Sequence, residues 1–141
     1  MATYIEIPVG RVVRFRVEPR PRGWVPQTDG WRSVHNGFNR LRLEVTDQAI
    51  SVRGFGAFGR LMEAFRPLKL KLSLPPCETT MSVVRLTDLG SWRTPRPKAE
   101  FVALSCTLPN HSEYTLAVRP SDDDLDRLRH ALKTAGVSEA E

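Results

Sequence analysis

The side chains with the most distinctive chemistry in this chain are arginines gathered with tryptophans. Between residues 19 and 40 stand Arg20, Arg22 and Arg32 beside Trp24 and Trp31, in a stretch rich in Pro and Gly and longer than most connections in a compact domain. Guanidinium groups offer forked donors that match phosphate oxygens, and indole rings settle at the headgroup level of a bilayer or stack on bases. The combination predicts an interfacial contact with an anionic partner. Five arginines reaching an anionic surface would supply about 5 kcal/mol at about 1 kcal/mol each, which is weak binding. Insertion of Phe55 and Phe58, or a second anchor on a partner, has to add the rest. Two further pairs, Arg14 with Arg16 and Arg40 with Arg42, fall on outward positions of alternating segments, where solvated charge is the ordinary content of a sheet face.

Reaction centres are scarce. His35, His111 and His130 are far apart in sequence and read as surface histidines. Cys106 alternates with Val102, Leu104 and Leu108 and reads as a small core residue, whereas Cys77 follows Pro75 and Pro76 in a turn. Neither cysteine has a second Cys or a His at metal-ligand spacing. Gly54, Gly56 and Gly59 in GFGAFG match a dinucleotide fingerprint literally. The context fails: the preceding strand alternates, Pro67 ends the following helix after about two turns, and Leu74 stands where an acidic residue is needed. No nucleophile elbow, zinc-protease motif or paired-carboxylate signature is present. The expectation is a protein that is not an enzyme and uses no cofactor or metal.

Charge is distributed unevenly. Residues 1 to 120 hold 18 Lys/Arg against 10 Asp/Glu, and residues 121 to 141 hold 3 against 6, so the formal net charge of +5 hides a basic body and an acidic end. Such a body permits an anionic partner, phospholipid or nucleic acid, without requiring one. Two cysteines make no disulfide framework, no apolar run reaches membrane-spanning length, and the opening residues lack a basic stretch followed by an apolar one. Those features predict a cytoplasmic protein, and 141 residues predict a single domain.

The elements that must position these side chains are mostly strands. Val13, Phe15 and Val17 alternate with Arg14, Arg16 and Glu18; Leu41, Leu43 and Val45 alternate with Arg42, Glu44 and Thr46. Ile50 and Val52 follow through a turn at Asp47 and Gln48, predicting a hairpin. Leu68, Leu70, Leu72 and Leu74 make a one-sided strand stopped by two prolines. Thr80–Leu86, Phe101–Leu108 and Glu113–Arg119 bring the expected number to seven. Phe58, Leu61, Met62 and Phe65 stand at helical spacing, predicting a short helix over Ala57–Phe65. A second long connection, Leu89–Ala99, carries Trp92, Arg93 and Arg96.

One amphipathic helix closes the chain. Ser121 is a good N-cap, Asp122, Asp123 and Asp124 oppose the positive end of the dipole, and Gly136 with nearby Lys133 suits the other end. Leu125, Leu128, Leu132 and Ala135 form its apolar stripe, and burying three leucines at roughly 1.5 to 3 kcal/mol each would secure an element that is marginal alone.

This order, with the segment LRLEVTDQAISVRG and the terminal helix SDDDLDRLRHALKTAG, resembles the pleckstrin-homology-like (PH-like) superfold, particularly its small bacterial domains. The resemblance implies a mainly β fold: a PH-like barrel of about seven antiparallel strands capped by one C-terminal α-helix. The expected layout is an N-terminal segment (1–10), a β body (12–119), the capping helix (121–136) and a tail (137–141). Domains of this type are typically non-catalytic and bind phosphoinositides, peptides or proteins. In lipid-binding members, cations at the end of the first strand and the start of the second ring the barrel mouth; the resemblance places Arg14 and Arg16, with Arg40 and Arg42, at those positions.

The expected function is therefore a binding or adaptor module that meets an anionic membrane surface or a protein partner through its basic loop 19–40, in the cytoplasm or peripherally on a membrane. Three competing classes remain. A nucleic-acid binder would use the same arginines with Trp24, Trp31 or Trp92 as stacking platforms. A small hydrophobic-ligand carrier of lipocalin type, to which Gly23-Trp24 is similar, would require an interior cavity. A protein adaptor would use an exposed strand edge or the Phe55–Phe65 segment. Ligand identity and oligomeric state are not written in the residues.

Overall fold

A computed structural model of the chain describes residues 3–10, 12–18, 31–35, 41–53, 73–88, 93–109 and 111–140. Strands β1 (Thr3–Pro8), β2 (Val12–Glu18), β3 (Arg32–His35), β4 (Arg42–Thr46), β5 (Ile50–Arg53) and β6 (Ser73–Leu74) come first. A 3-10 turn (Pro76–Glu78), β7 (Thr79–Thr87), β8 (Lys98–Thr107), β9 (Glu113–Val118), the helix α1 (Asp122–Ala135) and β10 (Ser138–Glu139) follow. They form a four-stranded sheet, β1-β4-β5-β6, and a six-stranded sheet, β10-β7-β8-β9-β2-β3. Every ladder is antiparallel except β10 on β7. The chain is thus mainly β with one helix, as the alternation predicts.

β1 pairs with β4 in the four-stranded sheet and β2 with β3 in the six-stranded one, both antiparallel. Between β1 and β2, Val9 N–H donates to Leu41 O and Leu41 N–H to Gly10 O, and Gly10 takes a φ of +81°, which a residue without Cβ adopts freely. The hairpin expected after β4 is present. The Thr46 hydroxyl accepts from the N–H groups of Gln48 and Ala49 and donates to Ala49 O, holding the Thr-Asp turn closed.

Between the sheets lies the main core. Ile7, Leu43, Val45, Ile50 and Leu74 from the four-stranded sheet meet Val13, Phe15, Leu104, Tyr114 and Leu116 from the six-stranded one. Helix α1 packs on β1, β4 and the 3-10 turn, burying Leu128, Ala131 and Leu132, with Leu125 and Ala135 partly covered. The helix is docked by the predicted stripe, to which the structure adds Ala131. Its C-terminus closes as a left-handed Gly136 at φ +109°, with Gly136 N–H to Lys133 O at 3.1 Å and Val137 N–H to Leu132 O at 2.9 Å. At the other end Ser121 occupies the cap position, but its hydroxyl donates to the Asp124 carboxylate and accepts from no helix N–H.

Several details depart from the sequence reading. Ten strands are present among the described residues where seven are expected: β3 and β10 are short, whereas β1 carries Ile5 and Ile7 in alternation with Glu6 and Pro8, a pattern that sequence reasoning missed. The leucine strand is seen as Ser73–Leu74; its earlier residues, the GFGAFG segment and the helix expected over Ala57–Phe65 lie outside the described residues. Residues 137–140, read as a tail, add β10 to the sheet. Among the described residues no ladder joins an edge of one sheet to an edge of the other, so barrel closure is not part of the described fold.

Candidate binding surface

The arginines expected to act together are separated by the pleat. Arg14, opposite Ser33 and Ala117, lies on the outer face of the six-stranded sheet, whereas Arg32, opposite Phe15, takes the other face. Arg14 is not a solvated charge. It is 1% exposed, and its Nη1 donates to the backbone carbonyl of Thr87 at 3.0 Å. Arg16 is half-buried with its guanidinium carbon 4.5 Å above the Trp31 ring, and its Nε meets no acceptor among the described residues. Trp31 itself is 3% exposed, in a second apolar cluster with Leu86, Phe101 and Ala117. Arg14 and Trp31 are therefore interior positions, a correction to reading them as surface groups. The physical reason is that the far end of the β7–β8 hairpin, Leu86 and Phe101 with the Thr87 carbonyl, meets the outer face of β2 and β9, so that face is covered where alternation predicts water.

Arg42 behaves as the ordinary sheet-face residue the alternation describes. It is exposed on the four-stranded sheet and pairs with Glu6 at 3.2 Å, next to a second pair, Arg53 with Glu44 at 3.4 Å. Arg20, Arg22, Trp24, Arg40, Phe55 and Phe58 lie outside the described residues. The structure thus brings Arg14, Arg16 and Trp31 together, and sets Arg32 and Arg42 elsewhere.

A different feature stands open on the opposite side of the sheet. In β7, Met81 C=O accepts from Ala140 N–H at 2.8 Å, while Asp88 N–H points to Pro97 O beside β8. Antiparallel pairing directs the N–H and C=O of one residue to the same side, so the odd-numbered residues of β7 face away from β8. Val83 and Arg85 are the members of that row whose backbone groups meet no described partner. They are bracketed by Met81, taken by Ala140, and Thr87, whose carbonyl takes Arg14. Val83 is also the exposed large apolar side chain of the described residues, at 50%.

Val83 and Val102 form the common floor of two hollows flanked by α1. One, of about 130 Å³, is bounded by Met81, Arg129, Glu139 and Ala140. The other, of about 290 Å³, is bounded by Lys98, Glu100, Arg119 and Leu125. The result is an apolar strip with charges of both signs on its rim. Glu139 is held there by Arg129 Nη2 at 3.1 Å and Lys133 Nζ at 3.5 Å, and the Arg129 hydrogen bond with the Lys133 charge lowers its carboxyl below the usual range. Sequence reasoning missed Val83, Arg129 and Glu139. The signal was the doubled Val83-Val84, which breaks the alternation of β7 and leaves one valine on each face.

His111 and His130 are exposed, Cys77 is exposed in the 3-10 turn, and Cys106 is buried in the core, as their settings in the sequence predict. The side chain of His35 lies outside what is described. Among the described residues no three His, Cys, Asp or Glu side chains gather where a metal could sit, and no helix is long and apolar enough to cross a membrane. No family model, no curated protein and no solved structure matches this chain.

Proposed function

We propose that this chain is a non-catalytic binding module of PH-like architecture that takes a protein partner by strand addition at the free stretch of β7. Support for the architecture comes from a mainly β body of antiparallel strands followed by one docked C-terminal helix, the order of elements the resemblance implies. The single observation that carries the function is that the outward backbone groups of Val83 and Arg85 meet no partner among the described residues, beside the exposed side chain of Val83. An extended segment laid there would gain about four backbone hydrogen bonds at about 1 kcal/mol each, and Val83 with Val102 would take an apolar side chain.

An anionic membrane surface met by loop 19–40 is the second reading, and the basic excess of residues 1–120 favours it. Its described members are reduced, because Arg14 and Trp31 are interior and Arg42 is paired with Glu6. A cytoplasmic setting, free or peripheral on a membrane, suits both readings.

Val83→Pro separates them. Proline on the outward side of an edge removes one N–H without breaking the β7–β8 ladder. The expected result is capture of a defined partner by the wild type and its loss in Val83→Pro at unchanged thermal stability, with neither protein pelleting on phosphatidylserine vesicles. Equal capture by both proteins would remove the edge from the account. Vesicle binding that survives Val83→Pro and disappears in Arg20→Glu/Arg22→Glu would establish the membrane reading in its place.

A further inference from the structure

Strand β10 occupies the beginning of the same edge. It is two residues long, parallel to β7, and exposed at Ser138, Glu139 and Ala140. Two things fix it: the Ala140 N–H to Met81 O bond at 2.8 Å, and the Glu139 carboxylate between Arg129 and Lys133 of α1. Behind it Val137 is buried and Gly136 ends the helix, so the segment leaves α1 from a firm anchor and becomes weakly held only over its last three described residues. Surface ion pairs and a two-residue ladder are weak holds, since exposed pairs contribute little and short strands gain few hydrogen bonds.

We propose that residues 138–140 act as an intramolecular competitor for the β7 edge, clamped by Glu139 and displaced when a longer strand binds. This rests on the reading of β7 as a strand acceptor. With β10 in place the open row is confined to Val83 and Arg85; with β10 released it also includes Met81, and the side chains of Arg129 and Lys133 lose the carboxylate they hold. A competitor lowers apparent affinity by the fraction of time it occupies the site, so weakening the clamp strengthens binding of anything that uses the whole edge. Arg129 and Lys133 then favour an incoming segment that places an acidic residue where Glu139 now sits.

The test uses the full chain and one probe, a fluorescein-labelled peptide of residues 134–140. In Glu139→Lys the segment meets Arg129 and Lys133 with like charge and detaches, which amide exchange at Ala140 reports directly. The expected result is fast exchange at Ala140 and peptide binding severalfold tighter than to the wild type. Unchanged protection of Ala140 overturns the clamp. Equal, measurable peptide binding by both proteins overturns the competition while leaving the strand-acceptor reading intact. Fast exchange at Ala140 with no peptide binding to either protein overturns both.

Discussion

The guanidinium of Arg14 in β2 donates to the backbone carbonyl of Thr87 at the end of β7, 3.0 Å away and 73 residues later in the chain. Neither residue is near the other along the sheet ladder, since Arg14 pairs with Ala117 and Thr87 with Lys98. The contact exists because the far end of the β7–β8 hairpin comes against the outer face of the sheet, where Leu86 and Phe101 meet Trp31 and Ala117. One buried arginine thereby closes the end of the open row on β7 and joins the two ends of the β body.

Arg14→Ala is expected to lower unfolding free energy by about 2 to 3 kcal/mol, because a charge-assisted hydrogen bond is lost and a cavity is left under a covered face. Urea denaturation followed by tryptophan fluorescence measures it. A loss below about 0.5 kcal/mol would mean the Thr87 contact contributes nothing to the fold.

Arg16 and Trp31 should be energetically coupled. A guanidinium over an indole contributes about 0.5 to 2 kcal/mol according to its desolvation, and Arg16 is half-buried over a ring that is 3% exposed. A double-mutant cycle with Arg16→Ala and Trp31→Leu is expected to give a coupling near 1 kcal/mol. Strict additivity would reduce the stacking to coincidence of position.

The helix offers two substitutions with different causes. Leu128 is fully buried, so Leu128→Asp puts an unpaired carboxylate in the core and should cost several kcal/mol, on the order of 4. At Gly136 a new Cβ would stand 3.9 Å from the Cys77 Cα, an ordinary contact, leaving only the strain of φ +109°. Gly136→Ala should therefore cost about 1 to 2 kcal/mol. Thermal melts that leave Leu128→Asp at the wild-type midpoint would show the helix undocked.

Acid should release β10 late. The Glu139 carboxyl is held below the usual carboxylate range by its hydrogen bond to Arg129 and the charge of Lys133. A depressed carboxyl contributes its holding effect above the unfolded value and loses it as pH falls through the folded one. Ala140 amide protection is accordingly expected to stay level from pH 7 to the ordinary carboxylate range and to fall only below it. Release near pH 6, where histidines titrate, would assign the hold to another group.

Much of the fold was legible because burial on one face imposes period two on a strand and period 3.6 on a helix. β4, β5 and α1 follow that rule closely, and the Thr46 turn and Gly136 terminus were each marked by a residue with a local reason to be there. The helix cap was legible in place but not in bonding, since the Ser121 hydroxyl is turned to the Asp124 carboxylate and accepts from no helix N–H.

The candidate surface was far less legible, and the reason is physical. Alternation states which side chains share a face; it does not state whether that face meets water, another strand or the returning end of a hairpin. From its own residues the chain determined a mainly β body, its principal strands and the docked stripe of α1, because those follow from local spacing and the need to bury leucine. Only the tertiary structure decided that Arg14 and Trp31 are interior, that Val83 and Arg85 present backbone groups without a partner among the described residues, and that Glu139 returns to Arg129. Each of these depends on where segments distant in sequence come to rest against one another.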